Sequence, residues 1–532
     1  MPTATSQSQL LSIKEASSWA SELLQRKVSE ANISYLIQYG RVKKIGENGS
    51  TQIYKHDLEE YYNQNMPMRE TSWKSKLGDD LNWMLSFEQF REHETTKHVH
   101  RLHPYKGKFI PQLVEYFLDD HTDEFKKQRY FNKGDIILDP FCGSGTTLVQ
   151  SNELGLHAIG IDVSAFNSLI SNIKIGTHNF SILEETLNQI TVSFERFLYA
   201  SKALEFETSL LSALQVFNSK YFPSPGFKYY IRQGKIDECE YGKKKEKEFL
   251  ATYEKLINEF GIKLRQPKNS SFLDQWYLQT VRGEIDFMFN QIKKIKDQDV
   301  KRIVSIILSR TIRSCRATTH SDLATLKEPQ TTTYYCKKHG KVCKPLFSIL
   351  SWWKRYSTDT VQRLKQFETL KTGTNQICLT GDSRTIDIFS ELEERRPTFS
   401  RIAKQQKIQG IFSSPPYVGL IDYHEQHAYA YDLFGFKRND ELEIGPLFRG
   451  QGQEARKSYI EGISTVLMNC KKYLADDFSI FLVANDKWGM YPEIAERAKL
   501  QIVEQFKRPV LNRTEKDKGA YSETIFHLKS KI

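Results

Sequence analysis

No stretch of this 532-residue chain approaches the ~20 consecutive apolar residues that a membrane span needs. The opening MPTATSQSQLLSIKEA also lacks the charged-then-apolar pattern of a secretory leader, so a cytoplasmic protein with no membrane partner is expected. Cysteine is sparse: seven residues, at 142, 239, 315, 336, 343, 378 and 470, make no paired framework, which leaves them as thiols or metal ligands rather than disulfides. Internal repeats and broad disordered tails are missing too. What is present is enough apolar material for real cores, with 39% hydrophobic and 12% aromatic residues. The length suggests about three or four compact units. The formal net charge of +11 gives a surface able to attract polyanions such as nucleic acid, a permissive property rather than a specific one.

Residues 11 to 62 read as helix, helix, hairpin, helix: KEASSWASELLQR, SEANISYLIQYG, RVKKIGENGSTQIYK and HDLEEYY. Ser29 is placed as an N-cap and Asn48-Gly49 as the hairpin turn. Two short helices before a basic wing resemble the winged helix-turn-helix of excisionase and MerR-type regulators, whose second helix enters the major groove. Here that helix carries Ser34, Tyr35 and Gln38. A small structural module with a solvated hairpin would read the same way. Residues 134 to 175 then form one βαβ unit, GDIILDP, FCGSGTT, LVQSNELG and LHAIGIDVS, and strand and helix patterns alternate again from 376 onward. Between these lies a mostly helical, lysine-rich stretch.

The turn after the first of these strands lacks two things. A dinucleotide fingerprint would need a third glycine where Leu148 stands, and a phosphate-binding loop would need a G-K-[ST] that is absent. Gly143 and Gly145 still let backbone approach a ligand closely, and Asp162, ending the next strand, is placed to accept from ribose hydroxyls. Asp139, directly before the turn, would repel a pyrophosphate and suits a cation such as the amino and sulfonium groups of S-adenosylmethionine. Phe141, Ser144 and Thr146 belong to the same DPFCGSGTT string, and Asp382 in LTGDS ends a strand where the sheet resumes, a position at which a carboxylate commonly meets the adenine in cofactor-binding folds that this pattern resembles.

The second informative string is IQGIFSSPPYVGL, in which Ser414, Pro415, Pro416 and Tyr417 follow an apolar strand. An exocyclic amino nitrogen is a poor nucleophile because its lone pair is delocalised into the base. It becomes reactive when acceptors draw on its protons, and the Ser414 hydroxyl and Pro415 carbonyl are candidates for that. Proline stiffens such a turn, and Tyr417 offers a ring for stacking a base swung out of its helix. Attack at cytosine C5 would need a cysteine nucleophile here, and none lies between 378 and 470.

Together DPFCGSGTT and SSPPY resemble the two motifs of amino-group DNA methyltransferases, over about 100 to 175 and 376 to 530. The form Ser-Pro-Pro-Tyr is typical of cytosine-N4 members; adenine-N6 members more often begin with Asp or Asn. The resemblance implies a Rossmann-like class I methyltransferase fold with a mixed seven-stranded sheet. It also implies S-adenosylmethionine as cofactor, duplex DNA as substrate, and host protection beside a restriction endonuclease that is a partner in function rather than in contact. HRLHPYKGKFIPQLVEYFL resembles the segment that precedes the cofactor motif, so Phe109 and Pro111 would border the cofactor. The expected organisation is a DNA-binding module at 1–66, two parts of the methyltransferase domain at 67–180 and 373–532, and a helical insertion at 181–372 for target recognition. Methylation of RNA or of a protein glutamine by the same loop, and a non-enzymatic DNA-binding regulator, are the competing readings.

One further pattern concerns a metal. Cys336, His339 and Cys343 form a C-x2-H-x3-C cluster, and Cys315 or His320 could complete a structural, non-catalytic zinc site. Isolated thiols in a basic loop are the bland alternative.

Overall fold

The computed structural model describes residues 9–24, 28–46, 51–65, 69–199, 201–267, 271–320, 328–511 and 519–531. Its strands are β1 (Leu10–Ser12), β2 (Gln52–Tyr54), β3 (Ile136–Asp139), β4 (His157–Asp162), β5 (Tyr334–Cys336), β6 (Lys341–Cys343), β7 (Gln376–Thr380), β8 (Ile408–Ser413), β9 (Leu474–Ala484), β10 (Leu500–Pro509) and β11 (Ser522–Ser530). The chain divides into two compact units. One joins Met1–Thr71, Phe194–Ile285 and Ser314–Ile349; the other joins Ser72–Ser193, Asp286–Arg313 and Leu350–Ile532. The segment 181–372 therefore contributes to both. Among the described residues no helix is long and apolar enough to cross a membrane.

The first unit begins with helices α1 (Ile13–Leu23), α2 (Glu30–Gln38) and α3 (Lys55–Asn65). Ser12 and Ser29 cap α1 and α2, each in a reciprocal box with the side chain three residues on, Glu15 and Asn32, which satisfies donors the first helical turn leaves open. Ala16, Ala20, Ile33, Leu36, Ile37, Ile53 and Leu58 pack together beneath them. Asn48-Gly49 lies outside the described residues, and the expected hairpin over 41 to 55 is represented by one antiparallel bridge, Ile45 to Gln52. The full partner of β2 is instead β1, because Leu11 and Ile53 sit opposite each other and both enter the core.

The second unit is built on a seven-stranded sheet in the order β10-β11-β9-β8-β3-β4-β7. The pairs β3–β4, β3–β8, β4–β7 and β8–β9 are parallel, and β11 runs antiparallel between β9 and β10, so the sheet is mixed, in agreement with the sequence. All four residues of β3 are buried, which is why it reads as a continuous apolar run rather than an alternating one. Successive side chains still point to opposite faces. Ile136 and Leu138 join a core with Ile411, Ile463 and Leu482, while Ile137 joins another with Phe117, Phe412 and Phe481. Both faces of β3 are thus covered, and only its ends are open to a ligand.

Candidate active site

From β3 the sheet extends to β4 and β7 on one side and to β8 and β9 on the other. The carboxyl ends of two parallel strands at such a reversal of order leave a crevice in which ligands of open α/β sheets bind. Both sequence motifs end at this crevice. The β3 turn is held by the carboxylate of Asp162: Gly143 N donates to its Oδ2 at 2.8 Å, and Ser164 N and Asn167 Nδ2 donate to its Oδ1 at 2.8 and 3.1 Å. Gly143 has φ +51°, and a Cβ there would lie 3.0 Å from the Tyr105 ring, so the position demands glycine on two counts.

The turn after β8 is fastened to the first. Ser413 Oγ donates to Asp139 Oδ1 at 2.6 Å. Ser414 Oγ donates to the Val483 carbonyl at 3.0 Å, which commits its only proton and leaves its oxygen an acceptor. Tyr417 turns its hydroxyl away to Glu523 Oε1 at 2.6 Å.

Between the turns lies a cleft of about 890 Å³, counting the space at its mouth. Phe109, Asp139, Phe141, Gly143, Ser144, Thr146, Asp162, Asp382, Ser414 and Pro416 all line it. Pro111, Gly145, Pro415 and Tyr417 are not among its lining residues. Pro111 instead opens the helix Pro111–Leu118, where its fixed φ suits the first turn, and Gly145 caps the helix Thr146–Glu153 at φ +76°. Tyr417 packs its ring against the sheet core. Asp382 is engaged by Arg384, whose Nε reaches both carboxylate oxygens at 2.9 and 3.0 Å.

Four carboxyl side chains, those of Asp139, Asp162, Asp382 and Glu443, line the cleft. Burial pushes the carboxyls of Asp139 and Asp162 up to about 6, with their hydrogen bonds pulling the other way. Burial also pushes the Lys108 ammonium down to about 8, and its Nζ donates to the His100 carbonyl. Tyr105, Lys108, Tyr423, His424 and Glu443 also line the cleft and were not singled out from sequence. Tyr105 and Lys108 sit in the basic loop HPYKGKF, next to Phe109, so proximity to that residue was the available signal. His424 and Glu443, which pair with each other, follow the Ser-Pro-Pro-Tyr turn with no pattern to mark them.

Residues 24–171 match a family model described as DNA methylase, of the N6/N4 type. A type II methyltransferase of Methanocaldococcus jannaschii, M.MjaII, is 45% identical over 524 residues, covering 98% of this chain and 97% of that protein. The chain belongs to the N6/N4 DNA methylase family. Among the relatives that match over shorter stretches are two further type II methyltransferases. The type II methyltransferase M.MvaI of Kocuria varians is 31% identical over 122 residues, 22% of this methylase and 24% of that one. M.BsoBI of Geobacillus stearothermophilus is 33% identical over 97 residues, 18% and 16% of the respective chains.

The Cys/His cluster lies in the other unit of this methylase, while two further groups of potential metal ligands among the described residues, His98 with His100 and Glu153, and His424 with Asp440 and Glu443, lie in the unit that holds the cleft. Cys336, His339 and Cys343 come together on the β5–β6 hairpin and are joined by His320, one ligand atom from each lying within 4.8 Å of all the others. Cys315, the alternative fourth member, is buried outside this group.

Proposed function

We propose that this methylase transfers the methyl group of S-adenosylmethionine to the exocyclic N4 of cytosine in duplex DNA, as the modification enzyme of a restriction-modification system. The reading rests above all on one observation: Ser414, an acceptor, and Asp139, a carboxylate suited to a cation, line the same cleft from adjacent strands.

The residues present fit the cofactor. Ser144 Oγ and Asn167 Oδ1 are buried at the cleft without a hydrogen-bond partner among the described residues, an arrangement that ordinarily has a ligand to satisfy it. Phe109, Phe141, Ser144, Thr146 and the glycine turn would enclose it, Asp139 and Asp162 would offset its cationic and ribose ends, and Asp382 would face the adenine. Bound there, S-adenosylmethionine would supply an electrophilic methyl group on a sulfonium leaving group. Ser414 Oγ and the Pro415 carbonyl would draw on the two amino protons, concentrating the nitrogen lone pair on the side facing the methyl group. The surplus proton would then leave the nitrogen for solvent, Ser414 Oγ and the Pro415 carbonyl serving only as hydrogen-bond acceptors. Pro416 keeps the turn stiff, and Tyr417 would stack against the extruded base, offsetting part of an unstacking cost of a few kcal/mol.

The remaining expectations follow the same reading. Residues 67–180 and 373–532 act as the two parts of the catalytic domain, 1–66 as a winged helix-turn-helix module on DNA, and 181–372 as the segment that reads the target. Ser34, Tyr35 and Gln38 support the second of these: all three are exposed on α2, opposite buried Ile33, Leu36 and Ile37. A restriction endonuclease would share the recognition sequence without touching the methylase, and both would work in the cytoplasm. Incubation with tritiated S-adenosylmethionine and plasmid DNA, total RNA or protein extract, followed by mass spectrometry of nucleosides, tests the whole proposal. Label in DNA as N4-methylcytosine is the expected result. N6-methyladenine would move the same chemistry to adenine, and label in RNA or protein alone would overturn the substrate class.

A further inference from the structure

We propose that His320, Cys336, His339 and Cys343 bind one zinc ion that holds the β5–β6 hairpin together and clamps the segment after Ser314 onto it. The hairpin needs such a staple. Its strands are three residues each, and its own core consists of Tyr334, Cys336 and Cys343. A two-stranded hairpin with so little apolar surface is marginal in water.

The geometry suits zinc. Bonds of about 2.3 Å to sulfur and 2.0–2.1 Å to nitrogen place tetrahedral ligands roughly 3.3–3.8 Å apart. His339 Nδ1 and Cys343 Sγ are already 3.4 Å apart, and the whole set lies within 4.8 Å, a span that small rotations close. The loop between the cysteines is shaped for it: His339 N and Gly340 N both donate to the Cys336 carbonyl, at 3.1 and 2.7 Å, and Gly340 takes φ +63°. This folds the Cys-x-x-His stretch into a tight knuckle with both side chains on one side. His320 brings its own orienting partner, the Tyr334 hydroxyl at 2.7 Å from Nδ1, which leaves the other ring nitrogen for the metal. Two thiolates and two imidazoles in tetrahedral array select zinc over harder cations, and four protein ligands leave no open position, so the site is structural.

The metal would stiffen a part of the unit that is anchored from both sides. Asn218 exchanges two hydrogen bonds with Val342, at 2.9 and 3.0 Å, and Glu246 accepts from Tyr335 N at 3.0 Å. The hairpin is thus fixed to the helices Ala203–Tyr221 and Glu238–Phe260, and the zinc would extend that fixation to the chain leading out of Arg316.

The full-length protein, purified under reducing conditions without chelator and dialysed against metal-free buffer, should carry one zinc per chain by elemental mass spectrometry. Replacement by cobalt(II) should give the intense visible bands of a tetrahedral ion with thiolate charge transfer. Cys336→Ala and Cys343→Ala should each lower bound zinc at least tenfold, His320→Ala should weaken zinc affinity at least tenfold, and Cys315→Ala should retain the full content. No zinc in the wild-type protein, with cobalt showing only its octahedral aqua spectrum, would overturn the proposal without recourse to any variant. Loss of metal in Cys315→Ala with retention in His320→Ala would overturn the ligand set.

Discussion

Ser413 donates its hydroxyl proton to Asp139 at 2.6 Å, tying the ends of β8 and β3 together across 274 residues of sequence. The bond makes the Asp139 carboxylate and the Ser-Pro-Pro-Tyr turn parts of one object. Asp139 is buried and accepts from neutral donors, Ser413 and Phe141 N. Its charge is therefore an unfavourable burial that a cationic ligand would relieve. Asp139→Asn should weaken S-adenosylmethionine binding at least tenfold, since hydrogen bonds to charged groups contribute about 1.5–3 kcal/mol. The melting temperature of the free protein should stay level or rise. Calorimetric titration and thermal scans measure both, and undiminished affinity in the Asn variant would remove Asp139 from cofactor binding.

The same burial predicts a pH dependence with a definite sign. Asp139 and Asp162 ionise near 6 in the fold, against about 3.9 in the unfolded chain. A carboxyl that holds its proton more tightly when folded favours the folded state below its unfolded value, and that contribution is lost as pH rises through the folded one. The free protein should lose this part of its stability between about pH 4 and pH 6. Affinity for S-adenosylmethionine should climb from about pH 5 to pH 7 as the carboxylates become available. A binding curve flat across that range would contradict the assignment of these carboxyls to a cationic ligand.

Tyr417 divides into two testable functions, its ring and its hydroxyl. Burial and Glu523 hold the phenol well above its usual range, so it donates to Glu523 and never serves as a base. Tyr417→Phe keeps the ring and should reduce kcat by about tenfold, the effect of loosening a turn by one charged hydrogen bond. Tyr417→Ala should abolish transfer while leaving cofactor affinity within about twofold of wild type. Rapid-quench transfer assays and cofactor titrations separate these results, and normal methylation by the Ala variant would remove Tyr417 from the active site.

What the sequence disclosed and what it withheld follow a physical line. Asp139, Gly143 and Asp162 were legible because a strand end, a positive-φ turn and a following strand end are local features with fixed spacing. Ser414 and Pro416 were legible for the same reason. Glu523 was not: it reaches Tyr417 from β11, the antiparallel strand between β9 and β10, and nothing in the local pattern of SETIFHLKS marks one glutamate. The partner of β2 was hidden likewise, since a nearby turn signal suggested a hairpin while the buried pair Leu11 and Ile53 joined strands more than forty residues apart in sequence. Contacts that depend on assembled layers leave little trace in any one segment.

The basic run after α2 offers a test of the DNA-binding reading that leaves the chemistry alone. Lys43 and Lys44 are exposed, and Val42 between them and α2 is buried, so the pair can be changed without disturbing the core. Each lysine on a phosphate releases about one counterion, which appears in the salt dependence of binding. Lys43→Ala with Lys44→Ala should lower the slope of log affinity against log salt by about 1 to 2, with weakening that is uniform across DNA sequences. Changing Gln38 to Ala should instead weaken the cognate site more than random DNA if α2 reads bases. Removal of residues 1–66 should weaken DNA affinity while S-adenosylmethionine still binds. A salt slope unchanged by the double substitution would place the run away from the phosphates, and α2 would then have no claim on the groove.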